Sequence, residues 1–142
     1  ACAALAWLRA QNNVDPNRIV VGGHGLGGVV ALHVAALDGH VAGIFADGGL
    51  SAFELLAGAA KYAWPADTFF PNVLKHYDLP ELAASLSMPV LIANPLDAEK
   101  KPMVQQSAEM VYKAALKAGK TRIVASANPD VIRDFVWECT KP

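Results

Sequence analysis

One turn gathers most of the residues that could do chemistry. Residues 22–28 read Gly-Gly-His-Gly-Leu-Gly-Gly, between the apolar run Ile19–Val21 and the helix-like stretch VVALHVAAL. Gly23, Gly25 and Gly28 fill the three slots of G-x-G-x-x-G, a loop whose backbone lets a pyrophosphate approach a helix N-terminus. Asp47 follows Gly28 by 19 positions, at the end of the next apolar run, where an acid that binds a ribose hydroxyl belongs. On this reading Gly23, Gly25, Gly28 and Asp47 bind a dinucleotide such as NAD(P). A strand-to-helix turn of this kind can also serve acyl chemistry. Its tip presents a reacting group, and the backbone N–H that follows stabilises an oxyanion. Here the tip is Gly25, and the residue beside it is His24. A histidine there can act as a general base on water, or simply pack and hydrogen-bond locally.

Other polar residues offer weaker chemistry. Asp47 and Asp97 both follow apolar runs and can point to the strand-end crevice, where two carboxylates can share a proton or hold a metal. No further ligands stand at a recognisable metal spacing, and Asp97 has the alternative task of ordering its own loop. Ser51 and Ser126 lie near run ends without an evident partner base, and capping or turn chemistry suits both. His33 and His40 fall on and after a helical stretch, where core or solvated roles are the default. His76 lies in an aromatic segment and is the ligand-facing histidine after His24. Cys2 and Cys139 have neither metal spacing nor a disulfide framework.

Alternating elements must position these groups. Four short apolar runs read as strands, at Arg18–Gly22, Val41–Ala46, Val90–Ala93 and Thr121–Ala125. Helical patterns occupy Leu26–Leu37, Ser51–Ala60, Met103–Ala118 and Asp130–Cys139, with Gly119 as a C-cap and Pro129 near the last start. The opening ACAALAWLRAQ reads as the middle of an amphipathic helix, with Leu5, Leu8 and Trp7 on its inner side. Such alternation predicts an α/β fold with a parallel sheet of about four strands flanked by helices. Residues 62–86 hold three prolines and six aromatic or histidine residues between two strands. That length suggests a cap or rim over the strand ends, and a surface loop packed on its own aromatics is the alternative.

The chain has 142 residues, enough for one domain with one core, and no linker or repeat divides 1–142. It is 54% apolar and 18% charged with a net charge of −1, which points away from disorder, nucleic acid and anionic membranes. No apolar run is long enough for a membrane span. The chain opens without Met and inside a helix, as a piece of a longer protein would, and its compartment is not legible.

The stretch VDPNRIVVGGHGLGG, followed by VAGIFADGG and then SMPVLIANPLDAEKKP, resembles the second half of α/β-hydrolases. The likeness is particularly to the acetyl-xylan-esterase, dienelactone-hydrolase and prolyl-oligopeptidase-like branches. The resemblance runs from Trp7 to the C-terminus and lacks the first four strands of such a domain. It implies that Gly23–Gly27 is the nucleophile elbow G-x-S-x-G, with Gly25 in the nucleophile slot and therefore not competent. It implies that Asp97 fills the acid slot and that Leu26 supplies one oxyanion N–H. The loop ASANPDVIRDF, where the triad histidine belongs, holds none. Small esters or carbohydrate-derived ligands are the implied substrates, and no cofactor is implied. A half-domain also leaves Arg18–Gly22 as an open apolar edge. The missing half, another chain or a second copy across a two-fold is expected to cover it.

Overall fold

A computed structural model of the chain describes residues 1–141. Seven α-helices and four strands alternate along it. They are α1 (Cys2–Arg9), β1 (Val20–His24), α2 (Leu26–Asp38), β2 (Gly43–Asp47), α3 (Phe53–Ala57), α4 (Leu79–Ser85), β3 (Val90–Ala93), α5 (Gln105–Val111), α6 (Lys113–Lys117), β4 (Thr121–Val124) and α7 (Pro129–Thr140). The strands form one parallel sheet in the order β1-β2-β3-β4. This is the α/β architecture expected from the alternation of apolar runs. Successive strand residues point to opposite faces, and both faces are covered. Val90 and Ile92 join Val29, Leu32, Leu79 and Tyr112 in the larger core, whereas Leu91 and Ala93 pack with Phe135 of α7. β3 is therefore buried along its whole length, which is why it reads as an unbroken apolar run.

Element boundaries move for identifiable reasons. Asp15 caps a 3₁₀ turn at Pro16–Arg18, so the first strand begins at Val20 rather than Arg18 and runs on to His24. The second likewise runs from Gly43 to Asp47, not Val41 to Ala46. Ser51 is tied to the loop after β3, its N–H and Oγ both donating to the Leu96 carbonyl, so α3 is short and starts at Phe53. The stretch expected as one helix over Met103–Ala118 is two. Met103 N–H donates to Pro95 O, which delays the start, and the path kinks at the fully buried Tyr112 (φ −92°, ψ 21°). Burial also holds the Tyr112 phenol above its ordinary pKa. In α1, Leu5 is buried as expected, but Trp7 is 66% exposed and faces away from the core.

Residues 62–86 divide into two parts. The first carries short 3₁₀ turns at Ala66–Thr68 and Val73–Lys75. The second is α4, a layer helix packed on α2 and α6 that the proline content concealed. Pro80 stands in the first turn of α4, where a missing N–H costs nothing. Asp78 closes a capping box with Glu81 and also accepts from the Phe53 and Glu54 N–H groups, joining the starts of α3 and α4. Among the described residues, no helix is long and apolar enough to cross a membrane.

A bidentate pair between Arg9 and Asp38 fastens α1 to the end of α2 (2.7 and 2.5 Å). The guanidinium holds the Asp38 carboxyl below its ordinary pKa. A depressed folded-state pKa contributes stability above the unfolded value, and this is lost as pH falls through the folded one. Asp38→Asn is therefore expected to lower the melting temperature at neutral pH and to match the parent once the pH drops well below about 4. Paired thermal melts at pH 7 and pH 2.5 check this, and an equal deficit at both would contradict it.

Candidate functional site

The glycine turn sits at the C-terminal end of β1, the end of a parallel sheet where ligands bind. Gly25 lies between β1 and α2 with φ 59° and ψ −124°, a conformation that favours glycine. Its N–H donates to Asp47 O (2.8 Å), and Gly28 N–H donates back to Gly25 O (3.1 Å). A Cβ at Gly25 would meet nothing within 4 Å, so the tip faces open space. Leu26 opens α2, and the first N–H groups of a helix have no acceptor inside it. Those donors and the positive end of the helix dipole favour negative charge at this tip.

Beside the tip stands a fixed pair. β1 and β2 are in register at His24 and Asp47, and His24 Nδ1 lies 3.0 Å from Asp47 Oδ2. The other carboxylate oxygen accepts from Asn94 Nδ2 (2.8 Å). Asn94 is itself held on both sides by Ala127, accepting from its N–H (2.8 Å) and donating to its carbonyl (3.0 Å). The chain of contacts thus crosses the ends of all four strands. The imidazole lies against Gly48, where an added Cβ would stand 2.6 Å from His24 Cε1.

His24, Gly25, Leu26 and Gly48 share a depression of about 270 Å³ with Trp64, Pro65, Leu96 and Lys100. Trp64 and Pro65 bring the first part of segment 62–86 to this rim. Trp64 is buried, and its indole N–H donates to Asp97 O (2.8 Å). Lys100, at a left-handed φ of 61°, sets its ammonium 5.1 Å above the Trp64 ring. The depression therefore combines an apolar wall, a cation and the His24–Asp47 pair.

The remaining candidates lie elsewhere. Asp97 lines a separate depression with Leu55, Lys61 and Glu99, and its Oδ1 accepts from the Glu99 and Lys101 N–H groups (both 2.9 Å). Its carboxylate closes its own turn, as the loop-ordering alternative requires. Ser51 is fully buried and bonded to Leu96 O, and Ser126 is exposed. His33 uses both ring nitrogens, donating from Nδ1 to Val29 O and accepting at Nε2 from the Tyr77 hydroxyl (2.7 Å each). His40 contacts Asp38 O, and His76 is exposed after the second 3₁₀ turn. Among the described residues, no three His, Cys, Asp or Glu side chains gather to hold a metal.

Of the dinucleotide set, Gly23 and Gly28 make close contacts that need glycine: a Cβ on Gly28 would lie 2.9 Å from Ala46 Cβ. Asp47, however, already has both oxygens engaged by His24 and Asn94. The described strands also run in chain order without the reversal at which doubly wound sheets bind nucleotides. Asn94, Trp64 and Lys100 were not singled out from sequence. The one local signal was an asparagine directly after an apolar strand, a residue that tolerates the left-handed φ of 48° found there. No protein-family model and no curated protein matches the chain.

Proposed function

We propose that this chain carries the elbow-bearing half of an α/β-hydrolase-type site of esterase lineage. The site holds a small ester or carbohydrate-derived acyl ligand without forming an acyl-enzyme. The observation that supports the reading most is the sharp turn at Gly25 (φ 59°, ψ −124°), an exposed tip leading into a helix, with Leu26 lining the same depression. A carbonyl at that tip meets N–H donors and a helix N-terminus, which favour its developing negative charge. The tip has no side chain, and no histidine follows β4. Ser–His–Asp chemistry needs a nucleophile and a base in hydrogen-bond reach, and this chain offers neither in those places.

A fluorophosphonate probe and a binding titration test the reading together. The expected result is no covalent label on the chain, with saturable quenching of tryptophan fluorescence by phenyl acetate, reported by Trp64. Stoichiometric labelling of a serine, or no saturable binding, would overturn it. NAD serves as the competing ligand, and quenching by NAD alone would favour the dinucleotide set instead.

Lys100 gives the depression a preference for anionic ligands. Lys100→Ala is expected to weaken binding of monomethyl succinate about two- to fivefold, the range of an exposed ion pair, and to leave neutral methyl butyrate unchanged. Calorimetric titration of both esters checks this, and equal loss for the two would deny the lysine a charge-selective role.

A further inference from the structure

We propose that His24 is a general base that drives direct attack of water on an ester held at this turn, with Asp47 and Asn94 as its positioning residues. The inference rests on the reading of the turn as an ester-holding elbow. Carboxylates only accept, so the His24 Nδ1 that meets Asp47 Oδ2 at 3.0 Å carries the proton. In the neutral ring the other nitrogen, Nε2, then bears a lone pair, and it has no hydrogen-bond partner among the described residues. The His24 side chain is 81% exposed and lines the depression that also takes in Gly25 and Leu26. A surface contact this open contributes little to stability even when both partners are charged. A role in folding alone therefore does not explain why Asp47, itself held by Asn94 from the end of β3, is spent on so exposed a ring.

The supporting contacts read as an orienting device. Asp47 accepts from Asn94 Nδ2, and Asn94 is locked in turn by both backbone groups of Ala127. Asp47 also receives the Gly25 N–H on its carbonyl, so the base and the tip hang from one residue. Gly48 leaves room for the ring, since any Cβ there would reach it at 2.6 Å. His33 provides the contrast within the same chain. Both of its nitrogens are engaged, and it has no lone pair to offer.

The step balances without a nucleophilic side chain or a co-reactant. Water oxygen bonds to the acyl carbon while one water proton passes to His24 Nε2. The carbonyl electron pair moves onto oxygen, facing the Leu26 N–H. On collapse the bond to the leaving alkoxide breaks, and the alkoxide takes the proton back from Nε2. The products are a free acid and an alcohol, and the imidazole returns to its starting tautomer.

Phenyl acetate hydrolysis by the intact chain and its variants tests the proposal, with binding measured separately by fluorescence. His24→Ala is expected to lower kcat by about 10²-fold or more, far beyond any change in phenyl acetate binding. Asp47→Asn is expected to lower kcat at least tenfold with KM unchanged. The amide keeps the contact to Asn94 but favours the tautomer that protonates Nε2. Gly48→Ala, whose Cβ would meet the ring at 2.6 Å, is expected to lower kcat as well. Its fold is checked by circular dichroism, because the φ of 58° strains any other residue. A normal solvent deuterium isotope effect on kcat accompanies water activation and disappears in His24→Ala. Unchanged turnover in His24→Ala with binding intact would overturn the inference and leave the elbow reading standing. No saturable binding by the parent chain would overturn both.

Discussion

Replacing Gly23 with alanine is expected to destabilise the chain by more than about 4 kcal/mol, a large fraction of the stability of a domain this size. A Cβ at that position would lie 2.2 Å from both the carbonyl carbon and oxygen of Gly27 and 2.8 Å from its Cα. The obstacle is backbone, so no side chain can swing aside. Relief requires moving the start of α2 away from β1, and that contact sets the turn. Overpacking of a core by a methyl group typically costs about 1–3 kcal/mol because neighbours adjust, and here the neighbour cannot. Gly27→Ala is the matched control. Its Cβ would meet nothing within 4 Å inside α2, so helix propensity makes it neutral or stabilising by up to about 1 kcal/mol. Urea unfolding followed by circular dichroism distinguishes the two. A Gly23→Ala protein with parent-like stability would mean that β1 and α2 do not meet as described, and the proposed elbow would lose its geometric basis.

The two glycines show what was legible in sequence and what was not. A glycine knot between a strand and a helix was plain, as was the α/β alternation, because apolar period and turn residues are local signals. Which glycine is obligatory depends on how closely α2 approaches the sheet, and that is a tertiary distance. The same limit hid the His24–Asp47 pair. Reading the first strand as ending at Gly22 left His24 in the turn, whereas the capped 3₁₀ turn at Pro16–Arg18 shifts the strand by two residues and extends it to His24. Only then does the parallel register bring residues 23 positions apart side by side. Helix α4 was hidden for the opposite reason. Pro80 reads as a breaker until Asp78 and Glu81 are recognised as a capping box that makes it the first turn. Asp97 was legible as an acid after a strand, but its carboxylate serves Glu99 and Lys101 N–H, a turn that sequence offered only as an alternative.

Trp64→Ala is expected to cost about 3–5 kcal/mol and to weaken phenyl acetate binding at least tenfold, measured by calorimetry because the variant loses the reporting indole. Trp64 is 5% exposed, which places it in the core despite its position in a proline-rich segment. Three contacts converge on it and its neighbour. The indole N–H donates to Asp97 O, Ala63 N–H donates to Ala98 O, and the Lys100 ammonium stands over the ring. Together they fasten segment 62–86 to the loop after β3. That loop also pairs with the chain after β2 through Leu50 and Leu96, so losing the indole loosens two walls of the depression at once. Trp64→Phe separates packing from anchoring. It keeps most of the buried ring and forfeits one hydrogen bond, leaving the Asp97 carbonyl without its indole donor, for about 1–2 kcal/mol. A segment that merely packed on its own aromatics would tolerate Trp64→Ala within about 0.5 kcal/mol and leave ligand binding untouched. A large loss in Trp64→Ala with a small one in Trp64→Phe would instead tie the segment to the site, since the ring is then the wall of the depression that His24 also lines.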